Sequence, residues 1–330
     1  MRAPWLIVLA SLAGLTSCKN DPTQSNSKRT PASCEAGTPR TAPTTVVDGL
    51  NEPFDVAVDN TTIYWTEVGT PGRVAAINKD GTGRRQFAPV TANLPFAIGL
   101  STDDVIYQTS HEIVRVPKDG IAPGAVIAAG YDNLRSNGLL VDGADVYFAA
   151  TRLADDKEVV MRILDDGTSL IEIVAQTERI DALAGDTDFV YYNSGSLTTP
   201  TLVRVAKSGG PPETIATGRS CHNVASSGLQ VFCAADLAGP FRINVTTKST
   251  IDLCPEWNPL LLVKDVRLIG TGFYLLISDA AGDDRILRVA TQGTGQLFAT
   301  GFEDVVRMTT DGTSLFVTEK FANRIRAIKL

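Results

Sequence analysis

Charged and amide side chains recur at one place in a repeating pattern of this sequence, just before a short β-rich run. The candidate binding residues found there are Glu52, Asp55, Arg135, Asn137, Arg179, Asp181, Arg219, His222 and Asn223. Arginine guanidinium groups hold carboxylates through two parallel hydrogen bonds. If the fold gathers these segments at one mouth, its basic side would suit an anionic glycan or an acidic protein loop. The alternative is that each charge is solvated or pairs within its own loop.

Histidine and cysteine offer little catalytic or metal chemistry in this chain. There are 2 His and 5 Cys, with no paired His and no spacing typical of a transition-metal site. His222 directly follows Cys221 and lacks the neighbouring nucleophile or orienting carboxylate that a general base requires. We therefore assign no catalytic residue and no metal ligand, and we expect no cofactor.

The composition is that of a globular protein. Of the 330 residues, 43% are hydrophobic and 20% are charged, which is too apolar for a disordered chain. The 37 acidic residues outnumber the 30 basic ones, giving a formal net charge of −7, and the sequence contains no basic stripe. Nucleic-acid binding is therefore not expected.

The elements that must position the candidate residues form a repeat. A β-rich run such as Phe54–Val58, a turn signal, an apolar-aromatic pair and an alternating segment such as Arg73–Ile77 recur seven times. The aromatic residues, at intervals of 40 to 44 residues, are Tyr64, Tyr107, Tyr147, Tyr191, Phe232, Tyr274 and Phe316. Four short strands per repeat, without a helical period, are typical of a β-propeller blade. We predict an all-β, seven-bladed propeller with four antiparallel strands per blade, with six or eight blades as alternatives.

The two ends of the repeat region favour seven blades. The seventh repeat stops after its third strand at Leu330, and Thr44–Gly49 matches the outer strand that precedes later blades, such as Ala125–Ala128. We predict that residues 44–49 lie beside residues 324–328 and complete the last blade, which removes two exposed edges. The predicted propeller spans residues 44–330.

The first repeat resembles a known family. The segment Ile63-Tyr64-Trp65-Thr66-Glu67, followed by Arg73–Thr82, is similar to the Tyr-Trp-Thr-Asp (YWTD) repeat of low-density-lipoprotein-receptor propellers. Glu67 replaces the Asp of that motif, and those propellers usually have six blades. The other repeats look more like the degenerate propellers of secreted bacterial lipoproteins. The resemblance implies the propeller fold and brings no catalytic residue with it.

A second resemblance implies a different function. Propellers similar to lactonases hold a divalent cation at the channel with Glu, Asn and Asp oxygens, and Glu52, Asn137, Asp181 and Asn223 could imitate that set. This implies a hydrolase, lyase or lactonase with Ca²⁺ or another divalent cation at the central channel. Asn and Asp also occur in turns for conformational reasons, which is the competing explanation of these positions.

The N-terminus resembles a bacterial lipoprotein signal. Arg2 precedes the apolar run Trp5–Leu15, which is too short to span a bilayer but is typical of a secretory signal. Leu15-Thr16-Ser17-Cys18 is similar to the lipobox. It implies a signal peptide over residues 1–17, cleavage before Cys18 and lipidation of Cys18. The alternative is an ordinary signal peptide with a chance cysteine.

The residues after the signal indicate a flexible tether and a location in the cell. Residues 18–43 lack a hydrophobic period, so we predict the lipidated Cys18 followed by a flexible tether. An Asp directly after the lipidated cysteine would resemble a signal for retention in the inner membrane. Lys19 stands there instead, which favours the outer membrane of a bacterial cell envelope.

Four further cysteines form an even set: Cys34, Cys221, Cys233 and Cys254. In an exported protein this favours two disulfides. A hairpin that turns at residues 226–228 would place Cys221 opposite Cys233, close enough to be bridged. Cys34 and Cys254 would then form the second pair. The alternative is that the thiols are free and buried in the core.

Together these patterns predict a lipid-anchored, monomeric β-propeller outside the cytoplasm. Because the repeat is complete but carries no recurring catalytic set, we expect a binding or scaffolding module for a protein or an anionic glycan. The propeller enzyme with a divalent cation at its channel is the alternative.

Overall fold

The computed structural model describes residues 34–35, 37–87, 94–132, 138–165, 167–196, 199–235, 239–291 and 295–330. These residues form 29 strands and no helix, and accordingly none of them belongs to a helix that could cross a membrane. The strands make seven separate antiparallel sheets. The predicted all-β propeller with seven blades is therefore confirmed, and the alternatives of six and eight blades are excluded.

The strands of the first four blades follow one another along the chain. The first blade and the strand before it comprise β1 (Thr44–Val47), β2 (Pro53–Val58), β3 (Thr62–Glu67), β4 (Arg73–Asn78) and β5 (Arg85–Gln86). The second comprises β6 (Ala97–Leu100), β7 (Asp104–Gln108), β8 (Ile113–Pro117) and β9 (Ala125–Ala128). The third comprises β10 (Tyr131–Asp132), β11 (Leu139–Asp142), β12 (Asp145–Arg152), β13 (Lys157–Ile163) and β14 (Leu170–Gln176). The fourth comprises β15 (Ile180–Gly185), β16 (Phe189–Ser194), β17 (Thr201–Ala206) and β18 (Glu213–Thr217).

The last three blades repeat this order. The fifth comprises β19 (Asn223–Ser227), β20 (Gln230–Ala235), β21 (Gly239–Asn244) and β22 (Thr250–Asp252). The sixth comprises β23 (Leu262–Ile269), β24 (Gly272–Ser278), β25 (Asp284–Ala290) and β26 (Gly295–Phe302). The seventh comprises β27 (Val305–Thr310), β28 (Ser314–Glu319) and β29 (Arg324–Lys329). The strands that contact one another all the way round the ring, and are therefore its inner strands, are β2, β6, β11, β15, β19, β23 and β27.

The ring closes as the repeat arithmetic predicts. The sheet order of the seventh blade is β1-β29-β28-β27, and the antiparallel pairing of β1 with β29 sets Thr44 opposite Ala327 and Thr45 opposite Arg326. Val47 is buried against Phe316 and Trp65 in the cluster between the seventh and first blades. The start of the propeller thus supplies the outer strand that its end lacks, and neither edge stays open.

The core lies between the blades rather than within any one of them. One buried cluster joins Tyr64 and Val74 of the first blade to Val105 and Tyr107 of the second, and similar clusters recur around the ring. Trp65 is fully buried in the cluster next to it. A single four-stranded sheet buries too little apolar surface to be stable alone, so each blade depends on its neighbours.

Bulges near the start of the inner strands determine which side chains reach the central channel. Pairing shifts register in β2, β15, β23 and β27. Three non-glycine residues at these strand starts adopt a left-handed backbone, namely Glu52, Ala182 and Asp304, with φ of 54°, 49° and 48°. A bulge re-aims the residues beside it, and the polar channel residues described below lie close to these bulges.

Both predicted cysteine pairs are present as disulfides, but the predicted hairpin register is wrong. The Cα atoms of Cys221 and Cys233 are 5.2 Å apart, and those of Cys34 and Cys254 are 5.7 Å apart. The hairpin turns at residues 228–229, where Gly228 has a φ of 55°, so Cys233 pairs with Val224. Because the turn comes later in the chain than predicted, Cys221 lies before β19 and not opposite Cys233. The disulfide therefore joins β20 to the segment that precedes β19.

The end of the predicted tether is packed against the sixth blade. Residues 18–33 lie outside the described part of the chain, whereas Cys34 is buried beside Leu253. Glu35 forms an ion pair with Arg285 at 2.8 Å, and Arg40 N donates to Phe298 O at 3.1 Å. The described residues from Cys34 onward therefore belong to the folded unit, because a disulfide, an ion pair and a backbone hydrogen bond fix them there.

Candidate functional site in the central channel

The seven inner strands surround a cavity of about 340 Å³ on the axis of the propeller. Two positions of each inner strand can be aligned through the strand register. The first position, in blade order, holds Asp55, Ala97, Gly138, Ala182, Asn223, Asp265 and Arg307. The second position lies two residues further on and is paired, in every blade, with a residue of the next strand of the same sheet. It holds Ala57, Gly99, Leu140, Ala184, Ala225, Arg267 and Thr309. The same structural position therefore carries different chemistry around the ring.

The polar side chains of the cavity are confined to one side. Asp265, Arg307 and Asp55 come from the sixth, seventh and first blades, which are consecutive around the ring. Arg267 adds a second guanidinium group below Asp265 in the sixth blade, and Asn223 continues the polar side into the fifth. The second, third and fourth blades face them with small or aliphatic residues.

The two carboxylates join neighbouring blades. Asp55 Oδ2 accepts a hydrogen bond from Ile98 N of the next blade at 2.9 Å, and Asp265 Oδ2 accepts one from Met308 N at the same distance. In each case Oδ1 accepts a bond from the following backbone N–H, of Val56 or Val266, at 2.8 Å. Each carboxylate thereby satisfies one backbone donor of its own strand and one of the next blade.

The two guanidinium groups are held by carboxylate, carbonyl and aromatic partners. Arg267 Nη1 donates to Asp265 Oδ1 at 2.7 Å and to Val266 O at 2.6 Å, and the Arg267 side chain remains 35% exposed. Arg307 Nη1 donates to Lys264 O at 3.0 Å, and its guanidinium carbon lies 5.7 Å from the ring centroid of Phe54. Both arginines line the cavity.

Asp55 is the titratable group that the channel perturbs most clearly. Burial raises its pKa from 3.8 to about 6, although Arg307, the hydrogen bond from Ile98 and Arg267 each oppose that rise. The carboxyl group is therefore partly protonated near neutral pH. Since Arg307 and Arg267 both act on it, Asp55 and the two guanidinium groups form one electrostatic unit.

The candidate residues predicted from sequence do not all reach this cavity. Asp55 and Asn223 line it, and Asn223 Nδ2 donates to Val263 O of the sixth blade at 3.2 Å. Glu52 pairs with Lys320 at 3.3 Å outside the cavity, and Arg179 pairs with Asp181 at 2.8 Å within its own segment. Arg135 and Asn137 lie outside the described residues.

Two more candidates lie in the fifth blade. Arg219 pairs with Asp252 of the outer strand β22 at 2.5 Å and stacks over Phe241 at 4.2 Å, so it lies toward the rim rather than at the mouth. His222 N donates to Ala234 O at 3.1 Å, which fixes its backbone beside the Cys221–Cys233 disulfide. The predicted basic side of the mouth is therefore not assembled by the described arginines, because each pairs with an acidic residue nearby.

The described residues considered for a divalent cation are each engaged by another group. Glu52 and Asp181 are engaged by Lys320 and Arg179, and Asn223 is bonded to backbone. In the part of the chain that the structure describes, no group of three or more His, Cys, Asp or Glu side chains is placed to hold a metal ion.

Asp265, Arg267 and Arg307 are site residues that are not among the predicted candidates. They lie within the inner strands β23 and β27. A signal was available, since Asp55, Asp265 and Arg307 each stand nine residues before an aromatic anchor, namely Tyr64, Tyr274 or Phe316. Charges at one repeat position that is elsewhere Ala, Gly or Asn indicate a polar side of the channel.

Comparison with known proteins gives a fold and no family. No family model and no curated protein matches the chain. Solved structures similar to it include oligogalacturonate lyase in complex with manganese, with a TM-score of 0.63 and 11% identity over 90% of this chain and 98% of that one. Puromycin hydrolase gives 0.63 and 11% over 86% and 54%, and BamB from Moraxella catarrhalis gives 0.54 and 16% over 85% and 86%. These identities show a shared propeller fold alone, and this fold occurs among both enzymes and other proteins.

The burial of Asp55 predicts an unusual dependence of stability on pH. Its pKa is about 6 in the folded protein against an ordinary 3.8, so between these values the folded state keeps a proton that the unfolded chain loses. The contribution of Asp55 to the free energy of unfolding therefore falls by about 2.4 kcal/mol as pH rises from 4 to 7. We expect Asp55→Asn to gain about this much relative to wild type over that range, as measured by urea unfolding at both pH values.

Asp80→Asn provides the control of opposite sign. Hydrogen bonds from the Thr82 hydroxyl and backbone lower the pKa of the exposed Asp80 below the ordinary 3.8. This variant should therefore lose stability relative to wild type as pH rises toward about 4 and change little between pH 4 and 7. Parallel pH profiles for Asp55→Asn and wild type would contradict the assignment of Asp55 as a buried, partly protonated acid.

Proposed function

We propose that this protein is a lipid-anchored, extracytoplasmic module that binds another protein through one end of its propeller. Lipidation of Cys18 would hold it at the outer membrane of a bacterial cell, since two or three acyl chains anchor stably. The two disulfides support an oxidising compartment.

The proposed binding surface is the end of the propeller at which the inner strands begin, which we term the entry face. The large apolar side chains exposed there include Leu260, Leu262 and Phe321, with exposed fractions of 67%, 54% and 70%. Leu260 and Leu262 lie at the start of β23, and Phe321 lies in the β28–β29 loop. In antiparallel blades that loop lies at the same end as the start of the inner strand. This exposed apolar group is the observation that carries the proposal.

The surroundings of Phe321 favour a protein partner over a glycan. Phe321 and Phe54 border a depression of about 380 Å³ together with Lys264, Lys320 and Arg307. Lys320 Nζ lies 5.0 Å from the ring centroid of Phe321, so one face of the ring that could stack on a sugar is occupied. Leucine side chains offer no flat surface to a sugar, whereas apolar anchors within a polar rim are typical of protein interfaces.

Site-specific photocrosslinking in the cells that make the protein tests this proposal. A photoreactive amino acid is placed at Phe321 or Leu262 on the entry face, and at Ile121 or Leu229 as exposed apolar controls. Both controls lie in turns at the opposite end of the blades. We expect the same crosslinked protein from Phe321 and Leu262 and none from Ile121 or Leu229. Cys18→Ser should move the protein from the membrane fraction to the soluble fraction.

The outcomes separate the parts of the proposal. Equal crosslinking from both ends would overturn the entry face as a specific surface. Retention on an acidic polysaccharide without any crosslinked protein would assign a glycan instead. Membrane association that persists in Cys18→Ser would remove the lipid anchor while leaving the binding surface to be judged by the crosslinks.

A further inference from the structure

The central cavity has two unlike walls. Asp265, Arg267, Arg307 and Asp55 make a charged wall from the sixth, seventh and first blades. Opposite them, the channel-facing positions of the second to fourth blades hold small or aliphatic residues, among them Ala97, Gly99, Leu140 and Ala182. The cavity exists because these residues do not fill the axis. A cavity with one apolar wall and a few convergent polar groups is typical of a small-molecule site.

The two kinds of charge on the polar wall are not equally available to a ligand. Each carboxylate of Asp55 and Asp265 accepts a backbone hydrogen bond on both oxygens, and Asp265 also accepts from Arg267. These carboxylates therefore serve mainly to hydrogen-bond one blade to the next. The hydrogen bonds of Arg267 within the described residues all leave from Nη1, so its Nε and Nη2 are left to donate elsewhere.

The balance of charge favours an anionic group. Arg267 and Arg307 stay charged under all ordinary conditions, whereas burial shifts Asp55 toward its neutral form. When Asp55 is protonated the polar wall carries one more positive than negative charge. A ligand ammonium group would meet two guanidinium groups and two carboxylates that already accept backbone bonds, so a cation is disfavoured.

We propose that the central channel binds a small, largely aliphatic molecule with one carboxylate, the carboxylate lying at Arg267 and Arg307 and the aliphatic part against Ala97, Leu140 and Ala182. A guanidinium group presents paired donors that match a carboxylate. A cavity of about 340 Å³ lies at the lower end of the range for small-molecule sites, so the ligand is a short chain or a single ring rather than a polymer. The site shares Arg307 with the depression at the entry face, whereas Arg267 and the aliphatic wall line the channel and not that depression.

Calorimetric titration of the whole folded protein with three probes of equal length tests the proposal without any mutation. The probes are hexanoate, hexan-1-ol and hexylammonium at pH 5.5, where most Asp55 is protonated and a carboxylate probe is still largely ionised. We expect hexanoate to bind at least tenfold more tightly than hexan-1-ol, because a charged hydrogen bond contributes about 1.5–3 kcal/mol, and hexylammonium to bind most weakly. Affinity should also rise from propionate to hexanoate as the apolar wall is covered.

Variants locate the binding in the channel. Arg267→Gln should weaken hexanoate binding at least tenfold and leave hexan-1-ol unchanged, whereas Arg179→Gln, outside the cavity, should change neither. Leu140→Phe, which adds bulk to the apolar wall, should weaken both probes. Phe321→Ser, which removes a residue of the entry face, should leave hexanoate binding intact and so separates this site from the proposed protein interface.

The proposal fails if hexanoate shows no binding at 10 mM, if hexan-1-ol or hexylammonium binds as tightly as hexanoate, or if Arg267→Gln and Arg179→Gln behave alike. Should Arg267→Gln not fold, the comparison of the three probes on the wild-type protein and on Leu140→Phe still decides the matter.

Discussion

Replacing Glu319 with alanine is expected to lower the free energy of unfolding by about 3–5 kcal/mol, the usual cost of removing one partner of a buried ion pair. Glu319 is fully buried at the end of β28. Its carboxylate accepts a hydrogen bond from Glu303 N at 2.6 Å and from Arg324 Nε at 2.5 Å. Alanine would leave the Glu303 N–H without this acceptor and leave a cavity beneath the start of β27.

The same arrangement of a buried glutamate, a backbone donor and an arginine occurs in the first blade. Glu67 is also fully buried and accepts from Asn51 N and Trp65 Nε1, both at 2.7 Å, while Arg73 lies 2.6 Å away. The hydroxyl of Thr318, before Glu319, donates to Phe54 O of the first blade at 3.0 Å. The pairs Thr66-Glu67 and Thr318-Glu319 lie on either side of the ring closure. Removing either carboxylate therefore weakens the contact between the seventh and first blades that completes the propeller.

Glu303→Ala is the matched control for Glu319→Ala. Glu303 lies 3.9 Å from the same Arg324 but is 73% exposed, so its loss should cost less than about 0.5 kcal/mol. Urea unfolding of both variants and of Glu319→Gln, which keeps an acceptor without the charge, measures the difference. Similar losses for Glu303→Ala and Glu319→Ala would mean that the buried carboxylate contributes no more than a surface charge.

The ring and its closure could be predicted from sequence because they depend on periodic features. An aromatic residue in every repeat must be buried between blades, and this fixed the number of blades. The match between residues 44–49 and the other outer strands then fixed the partner of β29. The resemblance to the YWTD repeat does not extend to the second Thr-Glu pair, Thr318-Glu319, because the seventh blade has Phe316 and Val317 where the first has Tyr64 and Trp65.

The channel site could be predicted only in part, because it depends on local register. Bulges in β2, β23 and β27 decide which residues reach the axis, and a bulge changes no residue type that a periodic search would detect. Charges in the preceding segments, such as Arg179 and Asp181, pair with one another instead. A two-residue turn rather than a three-residue one likewise moved Cys233 opposite Val224 in the fifth blade. Short-range choices of this kind are set by local packing.

Removing the Cys34–Cys254 disulfide with Cys34→Ser and Cys254→Ser together is expected to cost more stability than removing Cys221–Cys233 in the same way. The first bond joins residues 220 apart in sequence, and the second joins residues 12 apart. A longer closed loop restricts the unfolded chain more, and the chain-entropy relation gives about 5 kcal/mol for the first and about 3 kcal/mol for the second. All four cysteines are buried, so the cost of burying serine hydroxyls is similar in both variants and largely cancels in the comparison.

The location of the Cys34–Cys254 bond adds to this difference. Cys34 packs beside Leu253 and Leu261, and the chain then runs along the sixth blade to β1, which closes the seventh. Releasing Cys34 frees the segment before β1 as well as the unfolded chain, so the outer strand of the closing blade loses an anchor. Urea unfolding of the two double variants, with and without reductant for the wild type, measures the two losses. If the Cys221–Cys233 variant is destabilised as much as the other, the bond to the N-terminal segment contributes only locally and the ring closure is held by β-pairing and core packing alone.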